Sequence, residues 1–306
     1  MKIKLIDVDS HGMPNLALMK LSAWHKERGD EVGFDIDSPD KVYISCIFSW
    51  NAPIALGIQT MFDCDAEVGG YGVNGNMLPY EVEHTMPDYS LYGVDFSMGF
   101  VSRGCIRRCS FCNVWRVEGV LKHHAPLSEF LHPEHKKLIL LDNNLLADSK
   151  ATETLKEIIN RKLKVSFNQG LDLRLMTVEY ARLLKRIRFS NRTFERRQLY
   201  VAWDRVEDEE RIIKGLKILK EAGINLNSVM CYMLTGFDTT FDEDMYRFEK
   251  LRKLKCDPFV MLYNKTGDRR HREFARWVNK RFYKWVPFAK FENFFRGKEC
   301  RIVGGD

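Results

Sequence analysis

The sequence contains no run of 18 or more apolar residues, which is about the shortest stretch a helix needs to cross a bilayer. It has no low-complexity tract and no internal repeat of fixed period, so it reads as neither a solenoid nor a biased, unfolded chain. The opening residues MKIKLIDVDSHG hold neither a long apolar stretch nor a cleavage-site pattern. The expectation is therefore a cytoplasmic protein that neither spans a membrane nor is secreted. In that reducing setting the eight cysteines do not read as a disulfide framework. Closely spaced thiols there point to metal or redox chemistry instead. Only one short-spaced cysteine set exists, so nothing supports a second local cluster.

What is present is enough for a folded core. Of 306 residues, 45% are hydrophobic and 29% charged, ordinary values for a globular protein. The net charge of +6 hides an asymmetry. Residues 1–95 hold 6 Lys/Arg against 15 Asp/Glu, a balance of −9, and residues 96–306 hold 42 against 27, a balance of +15. The change falls just before the cysteine set and suggests a domain boundary.

Periodicity predicts alternating strands and helices in both parts. Strands are expected at Ile3–Val8 and Val42–Ser49, and helices at Asn15–Arg28 and Ala52–Phe62. Glu67–Gly70 reads as a strand end entering a glycine-rich turn. This makes a small Rossmann-like unit over 1–75. Residues 76–93 show no period and carry two prolines, and are expected to be a linker. From 94 to 265, six apolar strands begin near Phe96, Lys137, Lys164, Gln198, Ser228 and Pro258. Helices are expected at Ala151–Arg161, Val178–Lys185, Glu207–Ala222, Phe241–Leu254 and His271–Phe282. The class is α/β with parallel strands. Six units are too few for a closed eight-fold barrel, so a partial (β/α)6 barrel is expected. Residues 266–306 form a basic, aromatic-rich extension.

The stretch GFVSRGCIRRCSFCNVW places Cys105, Cys109 and Cys112 within eight residues, directly after the first of these strands. Active residues of such sheets gather at carboxyl ends of strands. Thiolates suit zinc or an iron–sulfur cluster. A structural zinc site needs a fourth protein ligand, and His123 or His124 is in range of the sequence. Three thiols on a four-iron cluster would leave one iron open to a substrate or cofactor.

The run Cys105-Ile106-Arg107-Arg108-Cys109-Ser110-Phe111-Cys112 resembles the C-x3-C-x2-C signature of radical S-adenosylmethionine enzymes, with Phe111 as the aromatic before the last cysteine. Ser102-Arg103-Gly104 resembles the lead-in of the subgroup that carries a cobalamin-binding-type domain upstream. The resemblance covers roughly residues 94–265 and is specific only at the cysteines. It implies that Cys105, Cys109 and Cys112 hold a [4Fe–4S] cluster with S-adenosylmethionine on the fourth iron. It further implies reductive cleavage to a 5′-deoxyadenosyl radical, then hydrogen abstraction or group transfer. Phe111 would shield the cluster. The methylthiotransferase relatives carry three further cysteines in their first domain, which this chain lacks.

The cofactor would be gripped at strand ends. Asp142 and Asn143 follow the second strand, Asn168 the third with Arg174 beyond, Asp204 the fourth, Thr235 and Gly236 the fifth, and Asn264 the sixth. Asp142 or Asp204 could bind ribose hydroxyls, and Arg174 the methionine carboxylate. Gly236 resembles the family's glycine-containing fifth-strand motif, where backbone meets adenine. The same residue types are ordinary turn and cap formers.

Asp9-Ser10-His11-Gly12-Met13-Pro14 resembles the D-x-H-x-x-G loop of cobalamin-binding domains, broken at Pro14. The resemblance implies cobalt ligation by His11; the alternative is a plain turn. Gly69-Gly70-x-Gly72 matches a phosphate loop only weakly. Cys46 and Cys231 lie in strand patterns and read as buried small hydrophobes.

Two stretches are strongly basic. Residues 182–197 carry seven Lys/Arg and one Glu, and residues 264–306 carry twelve Lys/Arg against five Asp/Glu among many aromatics. Such surfaces can track nucleic-acid phosphates, or steer an acidic electron donor such as flavodoxin or ferredoxin. They can also be solvated helix faces. A rival from another class is a nucleic-acid-binding protein whose cysteines hold structural zinc. The substrate is not legible.

Overall fold

The structure is a computed structural model that describes residues 1–10, 12–263 and 268–292. His11, Asn264, Cys300 and the end of the basic extension lie outside the described residues. The chain forms two compact units, one of Met1–Cys105 with Asn113–Asp142, the other of Ile106–Cys112 with the chain from Asn143 onward. Both are α/β, and among the described residues every strand pairing outside one short hairpin is parallel.

In the first unit the apolar runs form strands Lys2–Asp7, Lys41–Ser45 and Asp65–Gly69, with a short edge strand at Glu31–Gly33. Lys2–Asp7 and Lys41–Ser45 are central, flanked by Glu31–Gly33 and Asp65–Gly69 respectively. Helix Leu16–Lys26 starts where Asn15 caps it, its side chain accepting from the Leu18 N–H, and it ends just before Gly29, at φ +81°. Ile3, Leu5, Leu18 and Leu21 are buried together between helix and sheet. Helix Ala52–Gln59 covers Val42, Ile44 and Cys46. This is the Rossmann-like arrangement expected for the segment.

Residues 76–93 depart from a bare linker. They carry a helical turn at Tyr80–Glu83 and a 3-10 turn at Tyr89–Leu91. Val82 joins the Ile3–Leu18 core. The Tyr89 hydroxyl donates to the carbonyls of Met98 at 3.2 Å and of Phe130. Two buried apolar anchors are too few to make a period, so packing and not periodicity holds the stretch. The first unit continues beyond 93 through the parallel pair Ser97–Gly99 and Lys137–Leu140 and the hairpin Ser102–Arg103 with Lys122–His123.

The second unit holds the parallel pair Lys164–Phe167 with Arg188–Phe189. It also holds a parallel sheet of Leu199–Ala202, Val229–Thr235 and Asp257–Leu262, with Val229–Thr235 in the middle. Helices Ala151–Asn160, Val178–Arg186, Glu209–Glu221, Phe241–Lys253 and Arg269–Asn279 alternate with the strands. Phe241–Lys253 begins with a full capping box, Thr240 and Glu243 bonding each other's backbone. No sheet closes into a barrel among the described residues. Three aromatics of the basic extension turn inward: Phe274, Trp277 and Phe288 are buried and pack on Phe241 and Phe248, while Trp285 is exposed.

Candidate metal and cofactor site

The approach to the cysteines is held by buried polar contacts. Gly99 passes so close to Phe130 that a Cβ would lie 2.5 Å from its ring. Asp142, at the end of strand Lys137–Leu140, is 5% exposed. It accepts from the Ser102 N–H at 2.6 Å and from the Ser102 hydroxyl at 2.7 Å. Burial, only partly offset by those bonds, pushes its carboxyl up to about 6. Glu118 accepts from the Gly104 N–H at 2.9 Å and pairs with Arg103 at 3.2 Å. The Cys105 N–H donates to the Gly119 carbonyl at 3.3 Å. A buried knot supports this lead-in, with Glu83 accepting from Lys20 at 2.9 Å and meeting His124 Nε2 at 3.1 Å. Burial alone would raise Glu83, but the His124 bond and the Lys20 charge bring it down to about 2.

In the second unit the loop turns once, the Cys112 N–H donating to the Cys109 carbonyl at 3.1 Å. Arg107 reaches Asp172 at 3.1 Å, and Phe111 packs edge-on against Phe237, next to Gly236, with ring centroids 5.8 Å apart. Cys105, Cys109 and Cys112 are all thiols of intermediate exposure. Their chemistry suits a soft metal or cluster. Among the described residues, no three Cys, His, Asp or Glu side chains already converge as a metal ion would require.

The expected strand-end residues take distinct places. Arg174 is engaged by its own acids: its fork bonds Asp172 at 2.7 and 3.1 Å and Asp208 at 2.8 Å. Asn144, beside the expected Asn143, donates to Asp172 at 3.4 Å. Asp204 accepts from the Leu234 N–H at 3.1 Å. Burial raises its pKa, against that bond and the charges of Arg247 and Arg174. The ends of three strands of this unit thus share one electrostatic environment. Asn168 is half-exposed in the turn after Lys164–Phe167. Thr235 is buried, and Gly236, at φ +76°, has no heavy atom within 3.7 Å of where its Cβ would stand. An adenine could therefore approach that backbone. Asp172, Arg107, Glu118 and Arg247 were not singled out in the sequence. Only Arg107, lying inside the cysteine signature, gave a signal that could have found it.

The Asp9 loop lines a cavity of about 550 Å³ at the carboxyl end of strand Lys2–Asp7, with Ser10, Pro14 and Tyr92. This is where open α/β sheets bind ligands. Asp9 itself is buried and accepts from the Ile47 and Phe48 N–H groups at 2.7 and 2.9 Å and from Asn51 at 3.0 Å. Asp7 accepts from the Tyr92 hydroxyl at 2.6 Å. Gly70 and Gly72 lie against the Cys46 and Phe48 backbone, where a Cβ would come within 2.4 and 2.6 Å. These acids and glycines hold the chain's own turns.

No protein-family model matches the chain, and no curated protein matches it.

Proposed function

We propose that the protein is a radical S-adenosylmethionine enzyme acting on a substrate by hydrogen abstraction or radical group transfer. The observation that carries this reading is the C-x3-C-x2-C loop with Phe111 set against Phe237, the residue after the Thr235-Gly236 strand end. Six strands with helices after five of them agree with a partial (β/α)6 barrel. Cys105, Cys109 and Cys112 would hold the [4Fe–4S] cluster, which when bound and reduced by a flavodoxin- or ferredoxin-type donor cleaves S-adenosylmethionine to a 5′-deoxyadenosyl radical.

The chain's own residues supply position and exclusion. Asp142 holds the Val101–Ser102 backbone, and Glu118 holds Gly104, so the loop leaves its strand in one direction. Asp142 is thereby a positioning residue, its Oδ1 already accepting from both the Ser102 N–H and the Ser102 hydroxyl. Arg107 ties the loop to Asp172, and Arg174 keeps Asp172 ionised. A methionine carboxylate would have to displace two protein carboxylates from Arg174, so Arg174 acts through Asp172. Asn168, the second oxygen of Asp204 and the Gly236 backbone would be the groups that meet the cofactor. Phe111 would shield the bound cluster.

The test is anaerobic reconstitution with iron and sulfide, then addition of dithionite and S-adenosylmethionine. The expected result is 5′-deoxyadenosine from the wild type and none from Cys109→Ala. Zinc at one per chain with no iron uptake would overturn the reading in favour of a structural zinc site.

A further inference from the structure

We infer that the strip from Arg182 to Arg197 is a docking surface for the phosphate backbone of double-stranded RNA. Seven cations lie on it, Arg182, Lys185, Arg186, Arg188, Arg192, Arg196 and Arg197, and all seven are exposed. Leu183, Leu184, Ile187, Phe189 and Phe194 between them are buried. The strip therefore has a core side and a charged side. The segment's one acid, Glu195, accepts from Thr193 Oγ1 at 2.8 Å. Among the described residues none of the seven makes an ion pair.

Three arginines elsewhere do find acids. In the other basic stretch Arg269 pairs with Glu273 at 2.9 Å, Arg270 with Glu292 at 3.7 Å and Arg281 with Asp257 at 2.5 Å. On helix Val178–Arg186, Arg182 stands three and four residues before Lys185 and Arg186, a spacing at which like charges destabilise a helix. A polyanion relieves this repulsion. Six of the seven are arginines, whose planar fork matches phosphate oxygens two at a time. Arg197 is held in place, its guanidinium 4.1 Å over the Phe189 ring.

The position excludes two other occupants. Arg188 pairs in register with Lys164, the first residue of its strand, and residues 190–197 lead into the start of Leu199–Ala202. The strip thus lies at the amino ends of strands whose carboxyl ends carry Asn168 and Asp204. Four residues of strand put these ends about 13 Å apart. Arg107, in the cysteine loop, meets Asp172 at the carboxyl end, so an electron donor seated on the strip would be at the wrong end. Single-stranded nucleic acid needs exposed aromatic rings for base stacking, and Phe189 and Phe194 are both buried.

One face of the helix is buried, Ala181 and Leu184 fully, so its cations form a single outward side. A one-sided cationic strip without exposed rings suits the wide, shallow minor groove of A-form RNA, read by shape and phosphate. The proposal narrows the substrate class of the reaction above to RNA or a group carried on it. It uses no part of the radical chemistry and is tested without S-adenosylmethionine.

The experiment is fluorescence anisotropy with the full chain, a labelled 20-base-pair RNA hairpin and a DNA duplex of the same sequence, over a salt series. The expected result is RNA binding tighter than DNA binding. Arg188→Glu/Arg192→Glu/Arg196→Glu should weaken RNA binding at least tenfold. Arg188→Ala/Arg192→Ala/Arg196→Ala should flatten the log K against log salt slope by about 2–3, near 0.7–0.9 per cation removed. Lys2→Glu/Lys136→Glu/Lys150→Glu, with the same charge change outside the strip, should bind as the wild type. Circular dichroism melts check that each variant folds. No RNA binding by the wild type, equal loss in the control triple, or DNA bound as tightly as RNA would each overturn the proposal. So would strip variants that lose only an acidic protein such as flavodoxin.

Discussion

Gly104 shows how a single residue without a side chain shapes the approach to the cysteines. At φ +80°, a Cβ there would stand 2.6 Å from the Val120 carbonyl oxygen and 2.8 Å from that of Gly119. Both neighbours are backbone, so neither can swing aside. Gly104→Ala should therefore lose about 1–3 kcal/mol from the left-handed backbone alone, and more from the clash. Gly119→Ala, at φ +76° with nothing within 4 Å, should lose about 1 kcal/mol. Urea melts of the two variants measure the difference. Iron per chain after reconstitution should fall in Gly104→Ala and hold in Gly119→Ala. Equal behaviour of the two would show that the close approach does not matter. The sequence offered Gly104 only as part of a resemblance. Its physical reason, two carbonyls beneath it, comes from residues 15 and 16 positions away, and no local pattern carries that. Asp142 and Arg174 teach the same lesson. Each was legible as a polar residue at a strand end, but their partners, Ser102 and the Asp172–Asp208 pair, are made by folding. The acid or base that a sequence offers to a ligand can already be held by the protein.

At the scale of elements, periodicity found nearly every strand and helix, because each buries a continuous apolar face. Lys2–Asp7, Val229–Thr235 and Glu209–Glu221 lie within a few residues of their expected places. The misses are short: strands Glu31–Gly33, Ser102–Arg103, Lys122–His123 and Arg188–Phe189 and the helical turns Tyr80–Glu83 and Val114–Val117 are too brief for any period. Also invisible was the joint among strand Leu199–Ala202, strand Val229–Thr235 and helix Phe241–Lys253. Arg247, fully buried, donates to the Trp203 carbonyl at 2.6 Å and the Leu234 carbonyl at 2.7 Å, and pairs with the buried Asp244 at 2.5 Å. In the sequence it is one basic residue in a charged helix, indistinguishable from its solvated neighbours. Removing it leaves two buried carbonyls without their donor and the Asp244 carboxylate with only the Thr239 hydroxyl, at 2.7 Å, and His271, at 3.3 Å, beside it. Arg247→Met should therefore cost about 3–5 kcal/mol. Arg247→Met/Asp244→Leu should recover part of that loss, since the stranded charge is gone. A double-mutant cycle by chemical denaturation measures the coupling. If the double variant is as unstable as the sum of the singles, the pair is not a unit.

For the whole molecule, two buried carboxyls of the first unit make opposite demands as pH falls. Asp142 titrates at about 6 in the folded protein, raised from 3.8 by burial. Between these values the folded state binds more protons than the unfolded chain, so this group adds stability as pH falls from above 6 to below 3.8. Glu83 goes the other way, lowered from 4.5 to about 2 by His124 and Lys20 against its burial. Its contribution is whole above 4.5 and is lost as pH falls through 2. Each effect is at most on the order of 3 kcal/mol. The wild type should hold or gain melting temperature from pH 7 to about 4.5, then lose it. Asp142→Asn keeps an acceptor for Ser102, and should flatten the first limb while leaving the second. Glu83→Gln should lower stability at pH 7 and flatten the second limb while leaving the first. Calorimetric melts at half-unit steps separate the limbs. A wild type that only loses stability from pH 7 downward, with Asp142→Asn parallel to it, would mean that Asp142 is already solvated and does not hold the Val101–Ser102 backbone as a buried acid. Both acids support the chain that leads into Cys105, Asp142 through Ser102 and Glu83 through the knot with His124. The pH series therefore reads the rigidity of that lead-in without metal, cofactor or substrate.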